Sequence, residues 1–265
     1  MSKRLGDVMQ YQLENFNGEY EFRSRFHDGW QIGANLHEYS ELLYCQKGMG
    51  IVTVNSQDIQ LKEGQLAWIP PNYVHKYDFP NAQVICAVFS NDLIPLFFKA
   101  SAGRYFCVSP IDMEELSYIP ELLPKFNKED FLLVSGYLNL ICSRVIQQST
   151  FENSKHSDGI LYQKVISFIA DHYREDISLK QIAKLFGYNE KYLSHTLHEL
   201  TGIQFRQLLA FYRIGHAKKS LIENTAKDIT TIAMDCGFSA INTFHRTFKE
   251  LTGTTPSQYR KIYSL

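Results

Sequence analysis

Long apolar runs are missing from this chain. Its longest, such as Val84–Phe89, fall far short of the ~20 residues that a membrane-crossing helix needs, which excludes a transmembrane helix. A secretory h-region is missing too: Met1-Ser2-Lys3-Arg4 is followed within a few residues by Asp7, Gln10, Gln12 and Glu14, so the expected compartment is the cytoplasm. Cysteine is sparse. Cys45, Cys86, Cys107, Cys142 and Cys236 are odd in number and nowhere closely paired, which argues against a disulfide framework and a four-cysteine zinc site. They read as small buried residues in a reducing compartment. What is present is ordinary globular composition, 45% hydrophobic and 21% charged, in 265 residues, a length that favours two domains.

The net charge of −1 conceals an asymmetry. Residues 1–159 hold 13 basic against 19 acidic side chains, and the remainder holds 14 against 9, with five of the nine histidines. An acidic front and a basic back imply different partners, the back being suited to a polyanion.

Up to about residue 108 the pattern is that of short strands. Gly50–Val54, the polar turn Asn55-Ser56-Gln57-Asp58 and the alternating Ile59-Gln60-Leu61 predict a hairpin. The breaker-rich Ile69-Pro70-Pro71-Asn72 follows, then Val84–Phe89 as a buried strand, together implying an all-β sandwich or barrel. Over 112–148 the period lengthens. Phe131, Val134, Leu138, Ile141 and Val145 share one helix face, which packs either on its own domain or as a dimer seam. The polar stretch 149–160 is expected to be a linker, dividing a domain of 1–148 from an all-α one of 161–265.

The second half contains a repeat of about fifty residues. Ile182-Ala183, Gly187-Tyr188 and Glu199-Leu200-Thr201-Gly202 return as Ile232-Ala233, Gly237-Phe238 and Glu250-Leu251-Thr252-Gly253, with one residue inserted. Each copy has the outline of a helix-turn-helix. A small alanine permits close helix approach, a glycine turns the chain, and Asn189 or Ser239 stands where an N-cap should open the second helix. Leu193, Leu197 and Leu200, and likewise Phe244, Phe248 and Leu251, are the expected core faces. The opposite faces carry Lys191, Ser194, His195 and His198 in one copy and Asn242, His245, Arg246 and Lys249 in the other, side chains able to bond base edges or phosphates. A helix over about Phe205–Glu223 would hold the two units one duplex turn, ~34 Å, apart.

Residues 165–263 resemble the DNA-binding domain of the AraC/XylS family of bacterial transcription regulators. The resemblance rests on Ile232-Ala233, Gly237-Phe238, Phe244, Arg246, Phe248-Lys249, Thr252-Gly253, Thr255-Pro256 and Tyr259-Arg260. It implies two helix-turn-helix units reading adjacent major grooves, with contacts at Lys191, Ser194 and His195, then Ile241, Asn242, His245 and Arg246. Ile241 departs from the polar residue often found there.

The front half carries two spaced motifs similar to those of cupins: Gly29, Asn35, His37, Glu41 and Gly48, then Gly64, Pro70, Asn72 and His75. The likeness implies a metal site where all ligand positions are filled, but Asn35 stands in place of one histidine. His37, Glu41 and His75 remain as a two-histidine, one-carboxylate set of the kind that holds Fe(II). The competing reading makes them fold residues, a buried His or Glu satisfying a strand end. Sensor domains of the resembled family generally do without metal, so neither metal, cofactor nor catalytic residue is expected. Arg25, His27, Trp30, His37, Trp68 and His75 are the expected effector contacts, for a carbohydrate or similar polar metabolite. The expectation is a cupin-like barrel followed by a double helix-turn-helix: a regulator binding double-stranded DNA and a small effector, with no membrane partner, a homodimer, and a partner of RNA polymerase if an activator. The alternative is a metal-dependent cupin enzyme or metal sensor fused to a DNA-binding module.

Overall fold

The computed structural model describes residues 10–11, 20–101, 105–152 and 158–263. The chain divides into two compact units, the first made mainly of residues up to Ser157 and the second mainly of those from Asp158 on.

The first unit is strand-rich. Its strands are β1 (Gln10–Tyr11), β2 (Phe22–Leu36), β3 (Ser40–Lys47), β4 (Met49–Val54), β5 (Gln57–Lys62), β6 (Gln65–Ile69), β7 (His75–Phe89), β8 (Tyr105–Cys107), β9 (Ile111–Asp112) and β10 (Thr150–Glu152). Its helices are α1 (Pro95–Ser101), α2 (Tyr118–Leu122) and α3 (Phe131–Gln148). The main sheet runs β1-β2-β7-β3-β6-β9, with β4 bridging β7 and β5. The expected hairpin is β4–β5. Asn55 and Ser56 both sit at positive φ, 46° and 65°, the turn geometry whose twist suits two antiparallel strands.

Strand β7 is the spine of this unit, since β2, β3 and β4 all pair with it antiparallel. Side chains alternate across its sheet, and both faces are buried. On one face Glu41 and Leu43 of β3 lie opposite Val88 and Cys86. On the other, Leu42 and Tyr44 lie opposite Ala87 and Ile85 and join a core with Phe97 of α1 and Val134, Leu138, Ile141 and Val145 of α3. The α3 stripe therefore packs on its own unit, and only Phe131, 39% exposed, stands apart. The expected linker is shorter than 149–160. Thr150–Glu152 pairs with Tyr105–Cys107, and helix begins again at Asp158, so the expected start of the second domain at 161 lies inside a helix.

The second unit is helical: α4 (Asp158–His172), α5 (Leu179–Phe186), α6 (Glu190–Thr201), α7 (Phe205–Glu223), α8 (Ile229–Asp235), α9 (Ile241–Thr252) and α10 (Pro256–Tyr263). Ser178 opens α5 with a capping box to Gln181, and Gly187 at φ +75° closes it. Asn189 caps α6 by accepting the Lys191 N–H at 2.8 Å, as expected from sequence. The second copy differs. Ala240, not Ser239, occupies the N-cap of α9, and no side chain bonds the helix end. Leu193 and Leu197 are fully buried in one copy and Phe244 and Phe248 in the other, with Leu200 and Leu251 partly covered.

Candidate functional site

Burial of one face of α6 and α9 dictates what the other can do. With Leu193 and Leu197 turned inward, Lys191, Ser194, His195 and His198 are all exposed, and with Phe244 and Phe248 inward so are Asn242, His245, Arg246 and Lys249. A cleft of about 910 Å³ lies between the two copies. Glu190 and Ser194 line one wall, Thr243, Arg246 and Thr247 the other, and Arg206, Leu209, Ala210 and Arg213 of α7 belong to its lining. Thr243 was missed by the sequence reading. Its signal was available, because it stands three residues before Arg246 and so on the same helix face.

In the first unit the two spaced motifs converge. His37, Glu41 and His75 are buried, and each offers one ligand atom within 4.8 Å of the others'. The Glu41 carboxylate lies 2.9 Å from His37 Nε2 and 3.3 Å from His75 Nε2, and its other oxygen accepts from the Cys86 thiol at 2.9 Å. Burial pushes the Glu41 carboxyl up, but the adjoining His37 and His75 imidazoles outweigh it and hold the group well below the usual carboxylate range. Burial, with Glu41 close by, pushes the Tyr77 hydroxyl far above its ordinary value.

The imidazoles are also fixed from behind. His37 Nδ1 donates to the Tyr39 carbonyl at 3.1 Å and His75 Nδ1 to the Tyr73 carbonyl at 2.8 Å. Both Nε2 atoms are thus turned toward a carboxylate that can only accept. Each contact needs either a second proton on the ring or a cation between the groups. His75 Nε2 and the Tyr77 hydroxyl have no hydrogen-bond partner among the described residues. The donor set therefore fits a divalent transition metal through His37, Glu41 and His75. Asn35 takes no part, since its amide donates to the Gly33 carbonyl at 2.8 Å.

Comparison with known proteins bears on both units. A helix-turn-helix domain model matches residues 182–262, and a cupin domain model matches residues 22–89. An uncharacterized HTH-type transcriptional regulator of Staphylococcus aureus is 41% identical over 97 residues, 37% of this chain, and this match spans 13% of the relative's length. The HTH-type transcriptional activator RhaS of Enterobacter sp. is 23% identical over 241 residues, covering 85% of this chain and 86% of RhaS. The structure of ToxT from Vibrio cholerae has the same fold, with a TM-score of 0.53 at 14% identity, over 92% of this chain and 99% of that one. The two matched domains, a cupin domain followed by a helix-turn-helix domain, agree with the resemblance to the AraC/XylS family.

The expected site residues lie in two unlike surroundings. Those of the helix-turn-helix copies are all on exposed faces. Those of the barrel are not all on one face. Arg25 and His27 on β2 lie opposite Cys86 and Val84, on the same face as Glu41. His27 stacks on Trp30 with ring centroids 4.0 Å apart, and Trp30 meets Tyr77 at 4.9 Å. Burial and the charge of Arg25 lower the pKa of His27. Trp68 is different. It lies opposite Leu42 on the helix-packed face, edge-on to Phe97 and Phe106 at 4.6 Å, which removes it from the group around Glu41.

Proposed function

We propose that this chain is an AraC/XylS-type, sequence-specific, double-stranded-DNA-binding transcription regulator controlled by a small molecule in its N-terminal barrel. The observation that carries the reading is the paired cleft: two helix-turn-helix copies in one unit expose Lys191, Ser194, His195 and His198 on α6 and Asn242, His245, Arg246 and Lys249 on α9. Thr243 and Thr247 join that set through their place beside Arg246. The likeness to RhaS, a transcriptional activator, supports activation and hence RNA polymerase as a partner. A homodimer in the cytoplasm completes the assignment.

For the effector, Arg25, His27, Trp30, His37 and His75 remain as contacts. Their mix of aromatic faces and polar heads suits a carbohydrate or similar hydroxylated metabolite. The test of DNA reading is direct. Duplexes enriched from a random pool by the full chain should bind Arg246→Ala about 1 to 3 kcal/mol more weakly if Arg246 reads a base pair. Unchanged affinity in a folded variant removes Arg246 from the contact set.

The imidazole geometry favours a second reading of the barrel, as a metal-dependent sensor or enzyme fused to the same DNA-binding unit. Two Nδ1 atoms committed to carbonyls leave both Nε2 atoms facing Glu41. Elemental analysis of protein purified without chelators should then find stoichiometric metal, lost in His37→Ala and in His75→Ala. Metal-free native protein rules this reading out.

A further inference from the structure

The two helix-turn-helix copies are joined by more than the helix that connects them in sequence. Arg213, midway along α7, donates from Nε to the Tyr173 carbonyl at 2.7 Å and from Nη2 to the Glu175 carbonyl at 2.8 Å. These carbonyls belong to the turn after α4, which leads into the first copy. The same guanidinium lies 5.8 Å from the ring centroid of Phe238, which is in the core of the second copy. Beside Phe238, the turn glycine Gly237 sits at φ +88°, so close to the Tyr173–Arg174 backbone that a Cβ would stand 2.7 Å from the Tyr173 carbonyl oxygen. His216 of α7 stacks flat on the Tyr173 ring, centroids 4.1 Å apart, and Arg174 Nε donates to the Tyr173 hydroxyl at 3.0 Å. The turn glycine of the first copy, Gly187, has a similar φ of +75° but open space around it.

We propose that Arg213 and the Gly237–Tyr173 backbone contact brace the two helix-turn-helix units into one rigid reading head, and so select operators by the spacing between their half-sites. Arg213 is a positioning residue in this scheme. Its fork bonds two carbonyls of one unit while its flat face covers an aromatic ring of the other, which a single ammonium cannot do. A flexible pair of units would accept half-sites at several separations, because each could follow its own groove. A braced pair must lose one unit's contacts when a base pair is inserted, since insertion rotates and shifts one site relative to the other.

The inference rests on the DNA-binding reading, and the experiment separates the two. Duplexes enriched from a random pool by the wild-type full chain are remade with one base pair added to or removed from the spacer. The wild-type protein should bind these at least about tenfold more weakly, the cost of losing base contacts. Arg213→Gln and Gly237→Ala should reduce that penalty to about threefold or less. Gly187→Ala, which carries the same left-handed strain with no neighbouring backbone to push away, should lose stability but keep the wild-type penalty. Folded Arg213→Gln and Gly237→Ala variants that keep the wild-type penalty overturn the proposal. If the wild type enriches no duplex, the DNA reading falls, and N–H residual dipolar couplings of the full chain decide the brace. One alignment tensor should fit α5–α6 and α8–α9 together in the wild type, and two should be needed in Arg213→Gln. A single tensor in both overturns it.

Discussion

His216 is half-buried against Tyr173, and the charges that act on it are cationic. Burial first, then the charges of Arg174 and Lys219, lower its pKa from 6.5 to about 4. The unfolded chain therefore binds more protons than the folded one between these values. Stability that is fully present above about pH 6.5 is lost as the pH falls toward 4, on the order of 2 kcal/mol. His216→Phe keeps a ring on Tyr173 and removes the proton. Hydrogen exchange of α7 amides at pH 7.5 and 5.0 should reveal a loss of protection in the wild type and a smaller one in the variant, and equal losses reject the assignment. Glu41 titrates with the same sense. Its depressed pKa makes its contribution present above about pH 4.5 and lost as the medium becomes more acidic. Glu41→Gln removes the charge that His37 and His75 face and replaces one carboxylate oxygen with an N–H donor, so it should destabilise the barrel by about 3 kcal/mol in a urea titration.

Glycine and tryptophan reveal how the strands are fitted. Gly50 on β4 lies beside Phe79 of β7, and a Cβ there would come within 2.1 Å of the fully buried Phe79 ring. Gly50→Ala should therefore cost about 1 to 3 kcal/mol through overpacking, measured by thermal unfolding of a variant with normal effector response. Trp68→Ala should destabilise by about 3 to 5 kcal/mol, as an excavated core does, with little change in effector affinity per folded molecule. The β4–β5 hairpin and the full span of α7 were legible because their signals are local: a polar two-residue turn between alternating strands, and an uninterrupted helical run between breakers. The place of Trp68 was not. Strand β3 is buried on both faces, so apolar alternation along β3 and β6 does not tell which face meets the helices and which meets Glu41. The end of the linker was hidden for a related reason, since Thr150–Glu152 becomes a strand only by pairing with Tyr105–Cys107. Nor does anything near Arg213 in sequence announce carbonyl partners at 173 and 175. The exposed faces of α6 and α9 were legible because two copies of one pattern reveal which positions vary in chemistry while the core positions stay apolar.

The chain joins a cupin-like unit to a helix-turn-helix one, and the proposed regulation by an effector requires only that two binding equilibria be coupled. That coupling is reciprocal. If an effector changes the affinity for the operator by some factor, the operator must change the affinity for the effector by the same factor, typically about 5- to 150-fold. A thermal-shift series against sugars, sugar acids and common metabolites, with and without chelator, finds the effector, because a ligand of the native state raises its stability as RT ln(1 + [L]/Kd). The affinity of a hit is then measured by calorimetry in the presence and absence of saturating selected duplex. Equal factors in the two directions establish the sensor reading, and the sign of the factor distinguishes an effector that promotes DNA binding from one that releases it. A ligand that binds the barrel with the same affinity in both conditions shifts no equilibrium however tightly it binds, and is not the regulator's signal. Removing the charge-reading contacts sharpens the test. If Arg246 acts only as a DNA contact on the exposed face of α9, Arg246→Ala should weaken the duplex in both effector states by about the same factor and leave the coupling intact. Coupling abolished in a folded Arg246→Ala protein would assign that side chain to the switch itself.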